Sequence, residues 1–192
     1  MTRSLVVVLI TLSANLSAQT RFANFPFAGH STSPDGRFSL TSQCTAHTCE
    51  DRDRKLWLVD HRTRSRKMLL EIERNVRTGW SPVGHTFFLN DNLGCNIAEA
   101  YLYFPPQDHR LDLKEIIDSK FPDDRRFEND SHHYVNALYW VNQNSVLVKR
   151  FGHFDTAGAA GFTVCYRVST SGGVARISVS HNEDDSCQPA GH

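Results

Sequence analysis

The stretch that decides the fold occurs twice, as SPDGRFSL at residues 33–40 and as SPVGHTFFL at residues 81–89. In each copy, a Pro and a Gly provide turn chemistry, because Pro fixes one backbone dihedral and Gly tolerates the left-handed region. Apolar residues that suit a strand follow each turn. The two copies begin 48 residues apart, and a fixed period of this length is typical of propellers, solenoids and arrays. The segment therefore predicts a repeat architecture.

Three units align on this segment, over residues 30–72, 76–120 and 135–180. In the third unit, the turn at 142–144 (Asn-Gln-Asn) stands where the first two have Ser-Pro-x-Gly. Most apolar runs are short and alternate with polar residues, which indicates strands. The exception is 111–120, where helical spacing of apolar residues predicts a short amphipathic helix. The sequence therefore predicts an all-β fold, a propeller-like array of about three four-stranded antiparallel sheets with one short helical insertion.

The repeated segment resembles the repeat of TolB-like and WD-type β-propellers. In those families, a Trp-Ser-Pro-Asp-Gly segment forms the turn that enters one strand of each blade. Residues 80–84 of this chain (WSPVG) match that segment except at Val83. Residues 56–60 (LWLVD) resemble the next strand of such a blade. The resemblance covers roughly residues 30–180 and implies a propeller-like scaffold.

The number of units departs from that family. Closed propellers typically have four to eight blades, whereas this chain has sequence for about three. Three arrangements stay open: a homodimer that closes a ring, an open arc or sandwich, and a fourth blade hidden in the insertion and tail. An open arc leaves strand edges that must be covered or charged, and the charged insertion at 108–130 could cover one of them.

The first 18 residues predict a secretory signal peptide. A short basic start is followed by the apolar run 5–12 and by small residues at 16–18, which suit a cleavage site. The apolar run is shorter than the roughly 20 residues that span a bilayer, and no other segment is apolar enough to do so. We therefore expect an exported chain, periplasmic or secreted, with no membrane span after cleavage. Its domain covers 19–180, and a polar tail covers 181–192.

The overall charge narrows the class of partner. Lys and Arg together number 21, as do Asp and Glu, so the formal net charge is zero. A nucleic-acid-binding protein usually shows a basic excess or stripe. The charge balance therefore argues against a nucleic-acid partner.

Export changes the interpretation of the five cysteines, because paired cysteines form disulfides in oxidising compartments. Cys44 and Cys49 lie in a polar, turn-like stretch and suit a small-loop disulfide. A bridge between Cys165, in a strand-like run, and Cys187 would staple the C-terminal tail onto the domain. Cys95 is then left unpaired, although a different pairing such as Cys44 with Cys95 stays open.

Two groups of polar residues are candidate binding residues. The first group offers oxygen ligands near a predicted hairpin loop and consists of Asp91, Asn92 and Asn96. Such ligands are typical of calcium sites, but the residue spacing of an EF-hand calcium loop is absent. The second group is a His/carboxylate set that could bind a divalent metal or act as a general base, and it consists of His132, His133, His153 and Asp155.

The favoured hypothesis is an exported binding or interaction protein of the bacterial cell envelope. It would contact a protein partner through the equivalent hairpin loops of the three units, at 45–54, 91–96 and 151–160. The alternative is a small secreted hydrolase or metal-dependent enzyme that uses the His/carboxylate set. No motif assigns a catalytic residue, a metal or a cofactor, so a binding role is preferred to an enzymatic one.

Overall fold

The computed structural model describes four ranges of the 192-residue chain, which are 22–44, 54–124, 132–153 and 161–187. Several predicted features lie outside them: the signal peptide of residues 1–18, most of the hairpin loops at 45–54 and 151–160, the last residues of the tail, Cys49 and Asp155. Within the four ranges, no helix has the length and apolar content that a bilayer crossing requires.

The described residues form thirteen strands, one α-helix and two short 3-10 segments. The strands are β1 (Phe22–Phe25), β2 (His30–Thr32), β3 (Phe38–Cys44), β4 (Arg54–Asp60), β5 (Ser65–Glu71), β6 (Asn75–Trp80), β7 (Phe87–Asn92), β8 (Ile97–Phe104), β9 (His109–Asp112), β10 (His132–Asn142), β11 (Ser145–His153), β12 (Phe162–Ser169) and β13 (Val174–Ser180). The helix is α1 (Leu113–Lys120), and the 3-10 segments cover Pro105–Gln107 and residues 122–124. The prediction of an all-β fold with a short helix is confirmed.

The helix begins two residues later than predicted. Residues His109–Asp112 pair with β8 as strand β9, so Leu111 belongs to the sheet. Asp112 then caps the helix, because its side chain accepts a hydrogen bond from the Glu115 N–H at 3.1 Å. The predicted helix, which was based on the helical spacing of apolar residues, therefore wrongly included the N-cap residue Asp112.

The strands follow one another as three four-stranded antiparallel meanders. The first meander is β2 to β5, the second is β6 to β9 and the third is β10 to β13. The expectation of three separate sheets is wrong. Strand β10 pairs in parallel with β8, at His133 with Ile97 and Tyr134 with Ala98, and β1 pairs with β6. The described strands therefore form a nine-stranded mixed sheet and a four-stranded sheet.

The second meander has two buried faces and lies between the other two meanders. Side chains on a strand alternate between faces, and here both faces are apolar. One face packs against the first meander in a cluster that includes Phe38, Leu40, Leu56, Val76, Trp80, Phe87 and Leu89. The other face packs against α1 and the third meander in a cluster that includes Phe88, Ala100, Leu102, Ile117, Val148, Phe162 and Tyr166. The core is therefore layered along the stack of meanders.

The repeated turn has the same geometry in both copies. The Ser33 N–H donates to the Phe38 carbonyl at 2.8 Å, and the Ser81 N–H donates to the Thr86 carbonyl at 2.8 Å. The glycine of each turn has a positive φ, +71° in the first copy and +79° in the second. Only glycine adopts this region without strain, which explains why the two copies share it.

Two tryptophans in equivalent positions connect the second meander to the first and the third meander to the second. Trp80 Nε1 donates to Ser31 Oγ of the first meander at 3.0 Å. Trp140 Nε1 donates to the Gly79 carbonyl of the second meander at 2.8 Å. A buried indole N–H needs a hydrogen-bond partner. Here the partner belongs to the neighbouring meander, so each hydrogen bond helps to fix the position of one meander against the next.

Buried charges attach α1 to the third meander. Asp118 on the helix accepts from Arg150 Nη1 at 2.8 Å and from Lys114 Nζ at 3.0 Å. The Arg150 side chain is 1 % exposed and that of Asp118 is 6 % exposed. Just after the helix, the buried carboxylate of Asp124 accepts from the Tyr166 hydroxyl at 2.7 Å. The helical insertion is therefore an integral part of the fold.

Candidate functional site at the hairpin end

The described ends of the first and second meanders meet at the end of the sheets where β3 ends, β4 begins and β7 is joined to β8. We call this end of the sheets the hairpin end. The Ile72 N–H donates to the Arg54 carbonyl, at the start of β4, at 2.8 Å. Two residues further on, Arg74 Nη1 donates to the Gly94 carbonyl in the β7–β8 turn at 3.2 Å. These two bonds place the start of β4 beside the β7–β8 turn.

The same end is shared by the third meander. The Tyr134 hydroxyl donates to the Cys95 carbonyl at 2.6 Å, and the His133 N–H donates to the Asn96 carbonyl at 3.1 Å. The start of β10 in turn pairs with the end of β11, at His132 with His153. The described ends of the three equivalent hairpins therefore lie next to one another in the order of the meanders.

The first group of candidate residues does not share a ligand position. Asp91 lies within strand β7 and is 6 % exposed, rather than following the strand as the sequence suggested. Its neighbour Asn92 lies on the opposite face of the strand and donates to the Asn75 carbonyl at 3.3 Å. Asn96 contributes its backbone carbonyl to His133. The three residues are therefore near one another in the chain but have different roles in the sheet.

Asp91 is electrostatically strained. Within the described residues its Oδ1 atom is buried without a hydrogen-bond partner. Burial, together with the smaller effect of the nearby charges of Glu99 and Glu73, raises the pKa of Asp91 to about 6. An ionised Asp91 therefore costs free energy in the folded protein at neutral pH.

We expect Asp91→Asn to stabilise the protein by roughly 1–3 kcal/mol at pH 7.5. The folded state binds the Asp91 proton more tightly than the unfolded chain, whose Asp pKa is near 3.8. The contribution of Asp91 therefore favours folding below pH 4 and is lost as the pH rises through 6. Urea denaturation of the wild type and of Asp91→Asn at pH 4 and pH 7.5 measures this difference. Parallel pH dependence in the wild type and in Asp91→Asn would contradict it.

The described histidines of the second group do not converge on one point. The rings of His132 and His153 stack with centroids 4.1 Å apart, and His153 Nδ1 lies 2.9 Å from Glu183 Oε2. His133 lies on the opposite face of β10 by strand alternation. The metal or hydrolytic use of this set stays a prediction, because Asp155 lies outside the described ranges. Across those ranges, no group of three or more His, Cys, Asp or Glu side chains is arranged to hold a metal ion.

The C-terminal tail is fixed to the third meander as predicted. Cys165 and Cys187 form a disulfide with their Cα atoms 5.6 Å apart. The Glu183 carbonyl accepts from Lys149 Nζ at 2.7 Å and from Thr163 Oγ1 at 3.0 Å. The staple of the tail is therefore confirmed. Among the described residues, Cys95 is exposed and free, and the pairing of Cys44 with Cys49 stays a prediction because Cys49 is not described.

Sequence reasoning missed three residues that organise this end. Glu183 contacts the end of β11, although the sequence placed it in a polar tail. Asn90 joins the second and third meanders, because its side chain both donates to and accepts from the backbone of Ala137 at 2.8 Å. Arg74 holds the β7–β8 turn. Asn90 gave no signal of this role, because the sequence indicated a hairpin loop from residue 90 onward, whereas β7 extends to Asn92.

A cleft of about 540 Å³ opens at the hairpin end between the first and second meanders. It is lined by Glu71, Ile72, Glu73, Arg74 and Leu93. Apolar, acidic and basic groups therefore lie within reach of one ligand. Such a mixture suits a peptide segment better than a uniformly charged or uniformly apolar ligand.

Comparisons of the chain with protein-family models, with curated proteins and with solved structures give no match. The resemblance to TolB-like and WD-type repeats therefore rests on the repeated turn and the strand that follows it. What the chain does must follow from the geometry and chemistry of its own residues.

Proposed function

We propose that this chain is an exported binding protein of the bacterial cell envelope that contacts a protein partner through the hairpin end. The observation that carries this proposal is the alignment of the three hairpins, whose described ends lie side by side. Loops held at one edge of a rigid β scaffold are a common place for recognition. The disulfide between Cys165 and Cys187 supports an oxidising compartment.

The exposed groups at this end support a protein partner. Ile97, the first residue of β8, is 39 % exposed beside the exposed Cys95. The nearby cleft adds Leu93 to this apolar surface, and Glu73 and Arg74 surround it with charge. Apolar groups within a polar rim are the usual composition of a protein interface.

We propose that a propeller-like scaffold of three blades carries these loops. Three features support it: the meander connectivity, the layered core and the equivalent hydrogen bonds of Trp80 and Trp140. The parallel pairing of β8 with β10 limits the likeness, because it joins two of the blades at the hairpin end. A homodimer that closes a ring from two such chains stays a prediction.

We expect Ile97→Asp to lower partner binding by roughly tenfold or more, because a charge would replace an apolar group near the centre of the contact surface. The matched control is Val83→Asp. Val83 is 55 % exposed in the β6–β7 turn, at the opposite end of the sheets. Affinity capture from an envelope extract, followed by a titration with the purified partner, measures both effects. Equal retention of the same partner by both variants would contradict the assignment of the surface.

A further inference from the structure

We propose that a groove between the first and second meanders, away from the hairpin end, binds a small organic carboxylate with an apolar body. The groove lies between β5 and the β8–β9 connection and has a volume of about 250 Å³. It is lined by Leu58, Lys67, Leu69, Tyr103, Phe104, Pro105, Asp108, His109 and Arg110. Nothing in the proposed role of the hairpin end uses these residues.

The interior of the groove is apolar. Leu58 and Tyr103 are each 9 % exposed and belong to the core between the two meanders. Leu69 packs against the same cluster from β5. Pockets for drug-sized ligands have volumes of about 300–1,000 Å³, so this groove suits a smaller body such as one ring or a branched aliphatic chain.

Arg110 provides the positive charge at one side of the groove. Its guanidinium carbon lies 4.6 Å from the centroid of the Tyr101 ring. Its Nη1 donates to the Tyr103 hydroxyl oxygen at 3.4 Å. Two neutral tyrosines therefore hold the guanidinium in place and leave most of its five N–H groups available.

The charge of Arg110 is not neutralised by an ion pair within the described residues. Asp112 is near enough to favour the charged form but does not form a salt bridge with it. A planar guanidinium binds a carboxylate with two parallel hydrogen bonds. The arrangement therefore has an open position for a carboxylate above an apolar floor.

The other charged pair of the groove is already balanced. Lys67 of β5 forms an ion pair with Asp108 in the β8–β9 connection, across the groove. This pair offsets the charge of Asp108 and so reduces the repulsion between its carboxylate and an incoming anion. His109 stacks on Phe104 with ring centroids 5.8 Å apart, which fixes the adjoining wall. The uncompensated charge of the groove is therefore that of Arg110.

Titration of the full chain with phenylacetate and with phenylacetamide tests the proposal by calorimetry. We expect phenylacetate to bind saturably with a dissociation constant of about 1 mM or tighter. We expect the neutral amide, which has nearly the same shape, to bind roughly tenfold more weakly, because it cannot form the charge-assisted pair.

Two variants separate the charge from the cavity. Arg110→Gln should weaken phenylacetate binding by roughly tenfold, whereas Arg167→Gln, at an exposed arginine of β12, should leave it unchanged. Leu69→Trp should abolish binding by filling the groove while Arg110 is retained. Circular dichroism spectra that match the wild type show that each variant is folded. Equal affinity for the acid and the amide, unchanged binding by Arg110→Gln, or no saturable binding up to about 10 mM would each overturn the proposal.

Discussion

Asp118→Ala is expected to lower the free energy of unfolding by about 3–5 kcal/mol. The change removes the carboxylate that faces the guanidinium of Arg150, which is 1 % exposed. A buried charge that loses its partner keeps its full desolvation cost, so the loss is larger than for an exposed pair. Denaturation followed by circular dichroism measures the effect. Glu115→Ala, at an exposed position of the same helix, should stay within about 0.5 kcal/mol of the wild type.

A second variant distinguishes the charge from the packing. In Asp118→Ala/Arg150→Met, neither charge of this pair remains, and we expect the double variant to recover much of the lost stability. Burial alone would raise the pKa of Asp118, but the bonds from Lys114 and Arg150 outweigh it and lower the pKa. The contribution of Asp118 is therefore present above pH 4 and is lost as the pH falls through the lowered value. A single-variant loss no larger than that of Glu115→Ala would contradict the prediction.

Loss of the disulfide in Cys187→Ser is expected to cost about 3 kcal/mol. The bridge closes a loop with a sequence separation of 22 residues, and a cross-link of this span restricts the unfolded chain by about that amount. Unfolding of the wild type with and without a reducing agent gives the same quantity independently. Cys95→Ser is the matched control, because Cys95 is exposed and free.

The same variant should also release the tail from the hairpin end. Glu183 precedes Cys187 in the tail and contacts His153 and Lys149 of β11. These contacts depend on the position of the tail. We therefore expect faster amide hydrogen exchange at the end of β11 in Cys187→Ser than in Cys95→Ser. If reduction left the stability of the wild type unchanged, the bridge would have no role in it.

Local signals in the sequence were sufficient for the strands and turns. The Ser-Pro-x-Gly turns predicted the start of β3 and β7, because Pro and Gly restrict the backbone within four residues. Alternation predicted β12. The expected export of the chain, with Cys165 in a strand-like run and Cys187 in the polar tail, predicted the disulfide between them. Each of these features depends on interactions between residues that are near in sequence or chemically distinctive.

Contacts between units could not be predicted in the same way. The parallel pairing of β8 with β10 joins His133 to Ile97 through backbone groups that every residue has, so it has no signature in side-chain chemistry. Similarly, spacing placed His132, His133 and His153 in one group, but strand alternation separates His133 from the other two. The candidate site was therefore predicted by its location and not by its geometry.

The two boundaries between meanders differ in a way that bears on how the molecule opens. The second and third meanders share backbone hydrogen bonds through β8 and β10. Within the described residues, the first meander forms a sheet of its own and is joined to the rest by side chains, including Trp80, His85 and Lys67. Two units that are joined by side chains separate at a lower free-energy cost than two units that share the backbone hydrogen bonds of one sheet. The first meander is thus the natural unit of partial unfolding. The proposed carboxylate groove and the hairpin-end cleft both lie between the first and second meanders, so separation of the first meander would open both of them.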